Sequence, residues 1–343
     1  MPKHHKSAVV TGGAGFIGSH LVDELIRQGF RVTIIDNLST GRTANLNPKA
    51  RFRKADIIRY DEFAPEFKGA DVIFHTAALA RIQPSIKDPR STFRANVEGT
   101  FNVLMAARAA GVKRVVYSAS SSAYGDQTTL PLREEMATRP KNMYALSKFM
   151  GEEMCRMFSD LYGLETVSLR YFNVYGPRQT NDGPYATVIG IFFKQLVEQR
   201  PLTLVGDGKA RRDYTYVGDV VRANILAAGS RKVGQGEIVN IGCGKNYSVN
   251  EVAAGVLGVP VRELAAAIRK RLATYIPPRP GEVAATLANN RKARDILGWS
   301  PRVAFPNGLE ACRDFFANPV PTRTPLVEDG RKRIHGTHRR PRS

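Results

Sequence analysis

The chain has 343 residues, is 43% hydrophobic and carries a formal net charge of +20, which gives length enough for one large domain or two intimately joined ones. No apolar run approaches the ~20 residues of a membrane helix, MPKHHK leads into a strand pattern without a signal-peptide core, and Cys155, Cys243 and Cys312 lie too far apart to indicate a disulfide framework or zinc site. A cytoplasmic protein without a metal is expected, and its basic excess suits nucleic acid, a polyanionic small molecule, or a surface charge without function.

Ala8–Thr11 is a short β-rich run, and a helical pattern follows from about Gly15 to Gln28 with Ile17, Leu21 and Leu25 in register. Gly29 ends it, and Arg31–Ile35 reads as a second strand, so the segment is a βαβ unit with Gly12, Gly15 and Gly18 at its first turn. The first glycine permits the tight turn, the second lets the backbone approach a pyrophosphate at the helix N-terminus, and the third lets helix and strand pack closely. Asp36 closes the second strand, where a carboxylate accepts hydrogen bonds from an adenosine ribose and repels a 2′-phosphate. NAD rather than NADP is the cofactor expected.

Arg51–Lys54 is a third strand leading to Asp56, placed to reach an adenine edge. Asp71–His75 reads as a fourth strand, 91–110 as a helix, Val112–Ser118 as a fifth strand, and about Asn142–Tyr162 as a long helix. Such alternation predicts an α/β fold with a doubly wound parallel sheet and ligands at the carboxyl ends of its strands. SASSSAYG (118–125) has the composition of a flexible connector, yet it follows the strand-like KRVVY and so falls on the ligand side. In NMYALSKFM, Tyr144 and Lys148 are four apart and share a helical face. An ammonium near a phenol favours the ionised form, which would make Tyr144 a general base for a substrate hydroxyl while hydride leaves the same carbon.

TGGAGFIGSHL, DNLSTG, KADI, FHTAAL, NVEGT, SASSSAYG, YALSK, RYFNVYGPRQ, RRDYTYVGDV, RPGEV and LGWSP stand in one order from residue 8 to about 316. In these pieces the chain resembles the extended short-chain dehydrogenase/reductases, specifically the nucleotide-sugar 4-epimerase group. The resemblance implies a Rossmann-type NAD-binding domain over 6–172, with a return to it around 212–245. It also implies a smaller mixed α/β substrate domain over 173–320. The stretch 321–343 has no counterpart in that pattern; rich in Pro, Arg and Thr and without apolar periodicity, it is expected to be a basic, disordered tail. For the cofactor it implies Gly12, Gly15, Phe16, Ile17, Gly18, Asp36, Asn37, Asp56, Ile57, Ala77, Ala78, Asn96, Tyr144, Lys148 and Phe172. Ser120, Tyr144 and Lys148 are the implied catalytic set, with Ser120 sharing the substrate hydroxyl and Lys148 lowering the tyrosine pKa and binding the nicotinamide ribose.

For a uridine-diphosphate sugar the resemblance implies Ser120, Ser121, Tyr144, Asn173, Tyr185, Ala186, Arg212, Arg279 and Thr286, with the two arginines as diphosphate clamps. Arg211 and Arg81 read instead as solvated surface. Related dehydratases and decarboxylases place acids at the positions of Ser121 and Ser122, so hydroxyls there favour plain epimerisation of UDP-glucose/UDP-galactose. Thr286, where a bulky tyrosine restricts the pocket to plain hexoses, leaves room for N-acetylhexosamines. The stretch RELAAAIRKRLATYI reads as a basic, Ala-rich helix where the family pattern has a base-contacting strand. A UDP-glucuronate 4-epimerase or a nucleotide-sugar dehydratase stays open, and so does a non-catalytic NAD- or nucleic-acid-binding protein. An intact Ser120/Tyr144/Lys148 set argues against the last. A homodimer is implied; membrane and nucleic-acid partners are not.

Overall fold

The computed structural model describes residues 6–183, 186–278 and 283–318. Its large lobe grows from the βαβ alternation: β1 (Ser7–Thr11), α1 (Phe16–Arg27), β2 (Arg31–Asp36), β3 (Arg51–Lys54), α2 (Tyr60–Phe63), β4 (Val72–His75) and α3 (Ile82–Lys87). The predicted helix over 91–110 starts earlier, as α4 (Pro89–Phe93), and passes through a π turn (Arg94–Glu98) into α5 (Gly99–Ala109). Next come β5 (Arg114–Ser120), α6 (Met143–Tyr162) and β6 (Glu165–Tyr171). With β11 (Gln235–Ile241), introduced from later in the chain, the strands form one seven-stranded sheet in the order β3-β2-β1-β4-β5-β6-β11. Every neighbouring pair is parallel.

Parallel strands buried on both faces need apolar residues at successive positions, and alternate ones point to opposite sides. Val10, Ile34 and Val116 join Leu21 and Leu25 of α1 in one core. Val9, Ile35 and Val115 join Val103 and Leu104 of α5 and Phe158 of α6 in the other. Strand order reverses between β1 and β4, which opens a crevice at the carboxyl edge.

The second lobe comprises β7 (Val174–Tyr175), α7 (Val188–Val197), β8 (Leu202–Val205), β9 (Arg211–Asp213) and β10 (Thr215–Tyr216), and, after α8 (Val217–Gly229) and β11, also β12 (Asn246–Ser248), α9 (Val249–Leu257), α10 (Leu264–Arg269) and β13 (Ala273–Ile276). Then α11 (Arg291–Leu297) returns to the large-lobe core through Ala293 and Leu297, and α12 (Phe305–Ala317) closes the small one. Phe192, Leu204, Val252 and Leu309 are buried at its centre, and Tyr247 stacks on Phe305 with ring centroids 4.2 Å apart.

Two local expectations change. The helix expected through residue 276 stops at Arg269: Arg271 turns with φ +58°, and Ala273–Ile276 pairs in parallel with Leu202–Val205. A strand partner some seventy residues away overrides helical composition here. The strand expected over 112–118 runs from Arg114 to Ser120, so the first three residues of SASSSAYG are sheet and the rest a single turn, Ser121–Tyr124, ended by Gly125 at φ +60°. None of it is a connector. Among the described residues no helix is long and apolar enough to cross a membrane.

Candidate active site

A cavity of about 690 Å³ runs from the carboxyl ends of β1, β2 and β4 past β5 and into the small lobe. At its first end the chain offers backbone. Gly12 turns with φ +73°, and a Cβ there would stand 2.6 Å from the Ala77 nitrogen. A Cβ on Gly18 would overlap the Gly12 carbonyl oxygen. Gly15 caps α1 without a side-chain bond, which leaves the first N–H groups of a 12-residue helix facing the cavity. Asp36 is buried and accepts from the Ala14 and Leu38 N–H groups at 3.0 and 2.8 Å. Burial pushes its pKa up, and those two bonds pull it back. Asn37 donates to Asp56 at 3.0 Å, and both line the wall with Phe16, Ile17, Ile57, Ala77 and Ala78. A tight backbone cradle at a helix N-terminus, next to a carboxylate held for a ribose, fits a dinucleotide.

At the middle of the cavity stand Ser120, Ser121, Ser122 and Tyr144. Ser120, at the end of β5, accepts from the Ser122 N–H at 3.2 Å and from the Ser122 hydroxyl at 2.9 Å. Tyr144 lies in the first turn of α6, which Asn142 caps through the Ala145 N–H at 2.9 Å. Burial raises the Tyr144 pKa, while a hydrogen bond with Ser120 and the charge of Arg81 lower it.

Three residues expected in contact with the cofactor stand behind the wall. Asn96 is buried and brackets Leu79, accepting from its N–H at 2.8 Å and donating to its carbonyl at 3.0 Å, so it braces the loop after β4. Phe172 is fully buried and packs near Tyr124, with centroids 6.4 Å apart. Lys148 shares the helical face of Tyr144, but its ammonium donates to the Ser118 carbonyl at 2.8 Å and sits 4.9 Å from the Tyr117 ring centroid. Burial lowers its pKa to about 8. Arg81 is half-buried in the cavity wall, and the surface reading of it falls.

The far end is assembled from the small lobe. Arg212 lines the wall, its guanidinium donating to the Arg211 carbonyl at 3.0 Å. Asn173 turns with φ +22° and, like Ala186, faces the cavity. Thr286 accepts from the Asp213 N–H at 3.3 Å and the Asn173 amide at 3.4 Å. Arg211 is turned away and held by Asn246 at 2.9 Å and Glu251 at 2.9 Å. Tyr185, Arg279 and the tail lie outside the described residues.

Sequence reading missed Asp213. Buried, it accepts from the N–H groups of Cys243, Gly244 and Ala288 at 2.7, 2.8 and 3.0 Å, tying β9 to the strand end of β11 and to the Thr286 segment. Burial raises its pKa to about 6. An acid within the β-rich RRDYTYV was the available signal. Thr203 and Val205, also missed, line the cavity from β8.

A family model described as the NAD dependent epimerase/dehydratase family matches residues 8–242. A UDP-glucose 4-epimerase of Mycolicibacterium smegmatis is 39% identical over 325 residues, covering 90% of this chain and 98% of that one. The crystal structure of a UDP-glucose 4-epimerase with UDP-glucose from Thermotoga maritima is similar at TM-score 0.83 and 35% identity, covering 91% of this chain and 98% of the other. A UDP-N-acetylglucosamine 4-epimerase from Methanobrevibacter ruminantium, in complex with UDP-N-acetylmuramic acid, matches at TM-score 0.83 and 34% identity, with the same coverage.

Proposed function

The chain belongs to the NAD dependent epimerase/dehydratase family, and from that premise we propose that it inverts C4 of a UDP-sugar through a 4-keto intermediate. The observation that carries the choice of reaction is the distribution of acids. Among the described lining residues the carboxylates are Asp36 and Asp56, both at the dinucleotide end. Eliminating water or acting on a sugar carboxylate requires a further acid or base beside C5 or C6. Around Tyr144 the wall offers the hydroxyls of Ser120, Ser121 and Ser122.

Bound against Gly12, Gly15 and Asp36, NAD supplies a hydride acceptor that becomes the donor, so inversion consumes none of it. The protein's part is proton handling and tethering. Tyr144 takes the 4-hydroxyl proton, with Ser120 bonded to both oxygens, and returns it after the sugar has turned over. Arg212 and Arg279 hold the diphosphate, the fixed point about which the sugar swings. Lys148 supports the floor under this end by fixing the carboxyl end of β5. Thr286 presents a small side chain, so N-acetylhexosamines fit as well as hexoses. The protein works as a homodimer through α5 and α6, whose outer faces expose Phe101, Met157 and Leu161.

The test is product analysis after incubating purified protein with UDP-galactose and UDP-N-acetylgalactosamine together, with no cofactor added. The gluco-configured partner of either is the expected product. A need for stoichiometric NAD, or loss of water from the product, overturns the reading.

A further inference from the structure

A serine hydroxyl has one proton to give and two lone pairs to fill. Both lone pairs of Ser120 are met by a single residue: Ser122 donates its N–H at 3.2 Å and its hydroxyl at 2.9 Å. The N–H bond is the one a serine cap makes to close a turn, and Ser120 caps Ser121–Tyr124 in that way. The hydroxyl bond satisfies no backbone group. Its effect falls on Ser120, whose own proton is left to point away from Ser122 and into the cavity that Tyr144 lines. There Ser120 meets the phenolate and the sugar oxygen as a donor.

The turn that carries Ser122 is pinned on both sides. The Gly125 N–H donates to the Ser122 carbonyl at 3.2 Å, and the Arg139 N–H donates to the Ala123 carbonyl at 3.0 Å. The Tyr124 hydroxyl donates to Asn240 of β11 at 2.7 Å. The charged and titratable groups packed around this turn take their bonds from other residues. Lys148 donates to the Ser118 carbonyl at 2.8 Å, and the Tyr171 hydroxyl lies 3.1 Å from that of Ser118. Glu152 makes a buried two-point pair with Arg170 at 2.9 and 2.7 Å, and the Arg170 guanidinium lies 4.5 Å from the Tyr124 ring centroid. Glu134 accepts the Asn240 N–H at 2.8 Å, Lys141 pairs with Asp126, and the His75 ring sits between the Thr11 and Thr100 hydroxyls. Tyr117 is buried, and Arg81 lines the cavity wall. A change confined to the Ser122 hydroxyl keeps all of these groups, so its effect on Tyr144 is read through Ser120.

We propose that Ser122 is a positioning residue for the reaction: its hydroxyl fixes Ser120 as a hydrogen-bond donor toward Tyr144, and so holds the phenolate in place to receive the proton of the sugar. The inference rests on the C4-epimerase reading for its chemistry. In the step, the O–H bond of the sugar 4-hydroxyl breaks and an O–H bond forms on Tyr144 as the C4 hydride passes to NAD. Ser122 keeps its own proton throughout and acts on the sugar only through Ser120.

The experiment compares Ser122→Val with Ser122→Thr, two side chains of one shape that differ by the hydroxyl, each alone and combined with Ser120→Ala. The readouts are kcat and KM for UDP-galactose and ultraviolet titration of the Tyr144 phenolate, obtained as the difference between each protein and its Tyr144→Phe counterpart. Ser122→Val should lower kcat about tenfold with KM changed less than about twofold, and should raise the phenolate pKa, because a bond to the charged form has been loosened. Ser122→Thr should keep most of the wild-type rate. On the Ser120→Ala background Ser122→Val should cost nothing further, since two residues acting through one hydroxyl are not additive. Should Ser122→Val fail to fold, Ser122→Ala takes its place in the same comparison. Additive losses overturn the proposal, and so does a Ser122→Thr as slow as Ser122→Val. A rise in KM alone also overturns it, by making Ser122 a substrate contact. A wild type that converts no UDP-sugar defeats the epimerase reading, while the phenolate titration of the variants still decides the role of Ser122.

Discussion

The two ends of the cavity are built on different principles. The dinucleotide end is backbone: glycines, helix N–H groups and one carboxylate, all supplied within Gly12–Asp36. The reactive and sugar end is side chain, drawn from Arg81, Ser120, Tyr144, Asn173, Arg212 and Thr286, which come together only after both lobes have packed. One end tolerates change in side chains but not in main-chain clearance. The other keeps its shape only as long as a few long-range hydrogen bonds hold.

The strongest way to separate the two ends is Tyr144→Phe. Turnover should fall by roughly 10³-fold or more while NAD remains bound, measured as kcat and as cofactor released on denaturation. Next comes the knot that assembles the sugar end. Asp213→Asn leaves one carbonyl oxygen where two carboxylate oxygens accepted three N–H groups, and should cost about 2–3 kcal/mol in chemical denaturation. The same variant tests the sign of a linkage. The folded pKa of Asp213 is raised to about 6 from 3.8, so the folded state holds its proton more tightly. Its contribution favours folding below about pH 4 and declines as pH rises through 6; Asp213→Asn should remove that slope.

A complementary blow falls on the backbone end. Gly18→Ala forces α1 away from the Gly12 carbonyl, and should destabilise by about 1–3 kcal/mol and yield protein purified without NAD. The comparison is sharpest if Tyr144 retains its pKa in that variant. The smallest effect belongs to Thr286→Tyr, expected to lower turnover of N-acetylhexosamine substrates about tenfold relative to plain hexoses. Equal losses on both classes would dismiss Thr286 as a selector.

The same contrast explains what could be read from the chain alone. The glycine spacing, the helix period and Asp36 all fall within one βαβ unit, so local pattern sufficed there, and the run of alternating elements then implied the parallel sheet. Ser120 and Tyr144 were legible because a strand end and a helix start bring them to the same edge. The place of Arg81 in the cavity wall was not, since α3, which follows it, docks on α6 through Ser85 and the Tyr144 N–H, a contact 59 residues long. Spacing placed Lys148 on the right face but could not say that its ammonium would turn to the Ser118 carbonyl. Nor could composition show that Ala273–Ile276 would find Leu202–Val205 and leave the helical state.

The late arrival of β11 has a consequence for synthesis. β6 is complete at Tyr171, but the strand that pairs with its open side is not finished until Ile241. On the ribosome, then, the sheet waits with a bare, hydrogen-bond-hungry edge while some seventy further residues emerge, five of the small lobe's elements among them. Such an edge invites pairing with a neighbouring nascent chain. Slowing translation across residues 172–241 should therefore lower the yield of soluble protein more than slowing it across α6, after which β6, the partner of β5, follows almost at once.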